Sequence, residues 1–178
     1  MGIALTGRAM GRRAFGALLG GGVIAASTGA RGASLPLPTE RPILTISGKI
    51  ANFNRDETAV FDRPMLEALG MSGFETRTPW YDNPVRFDGV RMDRLMDVVG
   101  ASGERVLAYA LNDYSTELPV SDFTKYKVLL ALKRDGQYMP VRDKGPLFIV
   151  YPFDSDPELR HQRFYSRSAW QLARIVVR

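Results

Sequence analysis

The 178-residue chain contains no cysteine and only one histidine. Without thiols it can form no disulfide, so its stability rests on an apolar core alone. It also has no thiolate to attack a substrate or to ligate a metal. With His161 as the sole imidazole, a Ser-His-Asp triad, a Cys-His pair or a His-rich metal site is not readily assembled. His161 lies in the polar run PELRHQRF, where it reads as a surface side chain. These absences set aside most hydrolytic and redox chemistry. Long apolar runs are missing as well. The apolar stretch near the N-terminus is short and glycine-rich, well under the roughly 20 residues a membrane span needs, and no later segment is expected to cross a bilayer.

Acidic residues are absent from the first 33 positions, which hold four arginines, Arg8, Arg12, Arg13 and Arg31. The net charge of +5 therefore belongs mostly to this end of the chain: without those four, 20 basic side chains face 19 acidic ones. No Lys/Arg stripe with interleaved aromatics remains to argue for nucleic acid as a partner. Residues 1–33 have the layout of a secretory signal, with a basic start, an apolar Ala14–Ala26 stretch, and small residues where a peptidase would cut after Ala30, Gly32 or Ala33. Arg12-Arg13-Ala14-Phe15 with Leu18 has the form of a twin-arginine signal, although Gly11 stands where Ser or Thr is usual, so the general secretory route stays open. The expectation is an exported, periplasmic protein that loses residues 1–33, has a short linker over 34–41, and folds as one domain over 42–178. About 145 residues suffice to bury a core unaided.

What is present describes a globular chain: 45% apolar and 24% charged residues. The stretch Val141–Asp154 (VRDKGPLFIVYPFD) opens with charges, turns at Gly145-Pro146 and becomes an apolar run, Leu147–Tyr151, which reads as a buried central strand. Ile43–Ile50 alternates as a half-buried strand does. Asp62–Leu69 reads as a helix with Asp62 at the N-cap and Pro64 in its first turn. Phe74–Trp80 reads as a strand, Arg86–Gly89 as a turn, and Met92, Leu95, Met96 and Val99 as one face of a helix stopped by Gly100. Val106–Leu111 and Thr116–Val120 read as strands, with a helical turn from Ser121. Val128–Arg134 and Gln137–Val141 form a hairpin across Asp135-Gly136. A helix over about 156–165 and a strand over Trp170–Val177 complete the chain. Strands outnumber helices and several are hairpin-joined, so the fold class is α+β with a mixed sheet.

Three places carry candidate ligand chemistry. Trp80 follows a proline at a strand end, as a lid over the core or as a platform for a planar ligand. Asn112-Asp113-Tyr114 offers an amide, a carboxylate and a phenol, although Asn-Asp is also ordinary turn chemistry. Arg142-Asp143-Lys144 stands at the mouth of the central strand, as a solvated turn or as a polar rim toward a ligand. The set suits an aromatic heterocycle with a donor–donor edge, which a carboxylate reads with two charge-assisted bonds.

The series TISGKI, TPW, FDGV, LNDY, LAL-x-x-DGQ-x-MPVRDKGPLFIVYP and SRSAWQLARI, spread over Pro42–Arg178, resembles the sulfite-oxidase-type molybdopterin-binding domain. Within that family it is similar to the small, cysteine-free, stand-alone PruR-type periplasmic proteins. The resemblance implies a mixed-sheet fold with a deep pterin cleft. Sulfite oxidases bind molybdenum through a cysteine thiolate, which this chain lacks. The expected ligand is therefore a metal-free reduced pterin, and the expected function is reporting it to the periplasmic region of a membrane-bound GGDEF/EAL-type cyclase/phosphodiesterase of cyclic di-GMP. The second expectation is a molybdopterin-dependent oxidoreductase with a metal ligand other than sulfur. Under the resemblance Trp80 and Tyr114 stack on the pterin, Asn112, Asp113 and Asp143 read its edge, and Arg142, Lys144 and Arg167 line the mouth.

Overall fold

The computed structural model describes residues 1–2 and 34–178; apart from residues 1–2, the expected leader lies outside the described residues. Elements follow in the order β1 (Leu44–Gly48), β2 (Ala59–Phe61), α1 (Arg63–Ala68), β3 (Met71–Thr78), β4 (Tyr81–Arg91), α2 (Met92–Val98), β5 (Arg105–Ala110) and β6 (Ser115–Pro119). They continue with α3 (Ser121–Lys125), β7 (Leu129–Arg134), β8 (Gln137–Tyr138), β9 (Phe148–Val150), α4 (Gln162–Arg167) and β10 (Leu172–Val177). The class is α+β, and the strands divide between two sheets. One sheet is mixed, in the order β2-β1-β10-β5-β6, with β1 and β10 parallel. The other is antiparallel, β3-β4-β7-β8, with β9 also paired to β7.

Local chemistry explains most of these elements. Asp62 caps α1 by accepting the Met65 N–H at 2.9 Å, and Pro64 occupies the first turn, where no amide proton is needed. Asp135 and Gly136 both take positive φ, 48° and 77°, the backbone a two-residue hairpin turn requires between β7 and β8. The residues before α1 are held to the domain by the same Asp62, whose second oxygen accepts the N–H groups of Thr39 at 2.7 Å and Glu40 at 2.8 Å.

Three expectations are corrected. The return strand of the hairpin is only Gln137–Tyr138, and Val141 lies in a 3-10 turn with Arg142 and Asp143. Arg86–Gly89 is not a turn but part of the long strand β4, and the chain reverses at Pro79-Trp80 instead. Gly89 is there because a Cβ would lie 2.0 Å from the Leu130 carbonyl oxygen, so the glycine reports close strand approach. The helix expected over 156–165 is broken in two. Pro157–Leu159 is a 3-10 turn capped by Asp156, and His161 then adopts an extended backbone and caps α4, its Nδ1 accepting from the Arg163 N–H at 3.2 Å.

The stretch expected to be central is so in hydrogen bonding as well as in burial. Every residue from Leu147 to Phe153 is buried. On one side β9 pairs with β7; on the other, Ile149 donates to Ala169 and Leu147 accepts from Leu172, which links it to the chain entering β10. It therefore joins the two sheets, with Phe148, Ile149, Tyr151 and Phe153 in one continuous core. Among the described residues no helix is long and apolar enough to cross a membrane.

Candidate functional site

The two tryptophans of the chain meet. Trp80, at the tip of the β3–β4 hairpin, folds back over the core and packs edge-to-face against Trp170 at 5.4 Å, Phe148 at 5.5 Å, Phe153 at 6.0 Å and Tyr165 at 6.2 Å. Such contacts each add about 0.5–1.5 kcal/mol beyond area burial, so the hairpin tip is fixed by its own indole. Trp80 is thus a half-buried lid over the core and at the same time a wall of a cavity. That cavity measures ≈ 460 Å³ and is lined by Pro79, Trp80, Asn112, Tyr114, Gln162, Tyr165, Ser166, Ser168 and Trp170. Its size falls within the range of small-molecule pockets, about 300–1,000 Å³.

Three chain segments build it. The β3–β4 tip supplies Trp80. The β5–β6 turn supplies Asn112 and Tyr114; Asn112 Oδ1 accepts the Tyr114 N–H at 3.3 Å, and the Tyr114 hydroxyl donates to the Ser166 carbonyl, tying this turn to α4. The third wall is α4 and the residues after it, from Gln162 to Trp170. The lining is aromatic rings and two carboxamides, with Ser166 and Ser168 donating their hydroxyls back to the Arg163 and Phe164 carbonyls.

Of the eight residues expected at a ligand site, the structure brings Trp80, Asn112 and Tyr114 to one cavity. Lys144 lies beside it, with Nζ 4.8 Å from the Trp170 ring and 5.3 Å from that of Tyr81, a cation held by two aromatic faces. Asp113 and the remaining charged residues do not line it. Asp113 takes φ 65° at the turn, the local role its sequence context also suggested. Asp143 pairs with Arg134 at 2.7 Å and accepts from the Tyr81 hydroxyl at 3.4 Å. Arg134 also donates to that hydroxyl at 2.9 Å. Burial raises the pKa of Tyr81 despite Arg134, so the phenol stays protonated. Arg142 is exposed on a 3-10 turn and has no ion-pair partner among the described residues. Arg167 turns inward to Asp122, 2.8 Å away, and Asp122 also accepts from the buried Tyr151 hydroxyl at 2.8 Å. Burial first, then the Asp122 charge, pushes the Tyr151 phenol far up.

Among the described residues no carboxylate lines the cavity, and the lining residues outside the expected eight are Pro79, Gln162, Tyr165, Ser166, Ser168 and Trp170. Trp170 was visible as the only other indole, within SRSAW, but its position at the start of a strand gave it no distinguishing local signal. Asn112 and Gln162 are the carboxamides of the lining; each offers a C=O and an N–H side by side, and the Asn112 carbonyl already accepts from the Tyr114 N–H. Among the described residues no group of three His, Cys, Asp or Glu side chains is placed to hold a metal ion. Set against known proteins, the chain matches no family model and no curated protein.

Proposed function

We propose that the Trp80–Trp170 cavity binds a metal-free reduced pterin. The protein is then an exported, periplasmic ligand-binding protein of sulfite-oxidase-like fold, not an enzyme. It reports the pterin to the periplasmic region of a membrane-bound GGDEF/EAL-type protein and so to cyclic di-GMP control of biofilm attachment. The observation that carries the binding half of this reading is the convergence of two indoles, two phenols and two carboxamides on one cavity of ≈ 460 Å³. A pterin is flat and nearly neutral, which suits ring walls, and its pyrimidinone edge presents the adjacent donor and acceptor that an amide complements. The sequence resemblance supports the fold family and the signalling half. The missing thiolate supports binding over molybdenum chemistry.

The test is calorimetric titration of the purified chain with a tetrahydropterin, together with mass spectrometry of any small molecule that co-purifies. Trp80→Ala and Asn112→Ala should each weaken binding by about 1 kcal/mol, roughly fivefold, from lost stacking and a lost hydrogen bond respectively. Asp113→Asn should leave affinity unchanged. No measurable binding by the wild type would refute the proposal. Stoichiometric molybdenum with oxidoreductase activity would replace it with the molybdopterin-dependent alternative.

A further inference from the structure

The cavity has a neighbour. Pro79 and Tyr165, two of its wall residues, are also walls of a second hollow of ≈ 300 Å³, lined in addition by Arg77, Thr78, Phe153, Asp154 and Arg160. This bay lies where the end of β3, the segment after β9 and the residue before the cap of α4 come together. It sits at the small end of the range for ligand pockets, which suits a side arm better than a second independent ligand.

Its charges are arranged by one residue. Asp154 Oδ1 accepts from the Arg160 guanidinium at 2.7 Å, and Oδ2 accepts the Arg77 backbone N–H at 2.7 Å. The Asp154 N–H in turn donates to Thr76 Oγ1 at 3.0 Å. Both carboxylate oxygens are thus engaged by protein donors. The Arg77 guanidinium has no hydrogen-bond or ion-pair partner among the described residues, and Arg160 uses one of its five N–H donors on Asp154. Two guanidinium groups against one carboxylate leave the bay positive. Planar guanidinium forks are suited to carboxylate and phosphate oxygens.

We infer that the ligand of the aromatic cavity carries an anionic side arm, a carboxylate or a phosphate, which passes between Pro79 and Tyr165 and is met by Arg77 and Arg160. This rests on the proposed binding of a pterin in the neighbouring cavity. Lys144, held against Trp170, is the competing cation and serves as the internal control.

The experiment titrates the full chain with three reduced pterins: one with a neutral methyl substituent, one with a carboxylate arm and one with a phosphate arm. At low salt at least one charged probe should bind about tenfold more tightly than the neutral one, an advantage that shrinks as salt rises. The tighter of the two names the arm. Arg77→Gln and Arg160→Gln should each remove about threefold of that advantage and leave the neutral probe unaffected. Both side chains are exposed, and Arg77→Gln leaves the Asp154–Arg160 pair intact, so loss of folding does not confuse the result. Equal affinity for all three probes, or an advantage lost in Lys144→Gln but kept in both arginine variants, overturns the inference and leaves the cavity assignment standing. Failure of the wild type to bind any probe overturns both.

Discussion

Removing the Asp62 carboxylate should both uncap α1 and release the segment before β1. The side chain is fully buried, yet it accepts four hydrogen bonds: from the Thr39 N–H at 2.7 Å, the Thr39 hydroxyl at 3.3 Å, the Glu40 N–H at 2.8 Å and the Met65 N–H at 2.9 Å. Loss of an N-cap costs about 0.5–2 kcal/mol. Two backbone bonds to a charged acceptor add about 1.5–3 kcal/mol each at full burial; the segment can move into water once released, so the lower end applies. Asp62→Ala should therefore lose about 3.5–5 kcal/mol, and Asp62→Asn about half. An amide still caps Met65 through its oxygen, but turns an NH₂ toward the donors of Thr39 and Glu40. Burial alone would raise the carboxyl pKa, but the bonds from Glu40, Met65 and Thr39 outweigh it and hold the group below its ordinary 3.8. A depressed folded-state pKa means the stabilisation is fully present above the unfolded value and is lost as pH falls through the folded one. Urea melts of wild type and both variants at pH 7 and at successive steps below 4 provide the assay. The gap between wild type and Asp62→Ala should be widest at neutral pH and narrow in acid. A gap that stays constant down to pH 2, or an asparagine variant as stable as wild type, would refute the argument.

Three further outcomes are expected. Arg167→Gln leaves Asp122 charged and nearly buried, so it should cost about 2–3 kcal/mol in a denaturant melt, somewhat less than a fully buried pair would. Because Arg167 faces Asp122, the same variant should bind a tetrahydropterin as wild type does in calorimetry. Gly145→Ala places a Cβ 1.8 Å from the Met139 carbonyl oxygen and should destabilise by at least about 2 kcal/mol, read as a lowered melting temperature. Trp170→Leu removes an aromatic wall while keeping an apolar one, and should weaken pterin binding about fivefold with a smaller effect on stability.

Much of the fold was legible because its signals are local. Asp62 followed by Pro64 specifies a helix start by chemistry contained in four residues. Asp135-Gly136 specifies a turn because both residues tolerate the backbone it needs. The misread places are those where a long-range contact chose the residue. Gly89 in FDG looks like a turn glycine, yet it is required by the approach of Leu130, some forty positions away in sequence. The polar run 156–165 has helical composition, but two successive caps, Asp156 and His161, divide it. The site divides in the same way. A Pro-Trp at a strand end marks Trp80 from sequence alone, whereas nothing near Trp170 shows that it meets Trp80.

The charged residues show the same division most clearly. A single sequence displays Asp143 and Arg167 as charges at a promising rim, but not their partners: Arg134 for the first and Asp122 for the second. With those pairs formed, Asp143 and Arg167 face their protein partners and neither lines the cavity wall. The cavity wall is then rings, amides and hydroxyls, with one cation, Lys144, held against its edge. A neutral planar ligand in such a site is held by stacking and two short-range amide contacts, none of which is screened by salt. Any salt-sensitive part of its affinity has to arise at Lys144 or in the Arg77–Arg160 bay. Salt dependence measured on a neutral and a charged pterin therefore separates the ring's contribution from that of an arm without any mutation. A neutral pterin whose affinity falls steeply with salt would show that a charged group, not the aromatic wall, holds the ring.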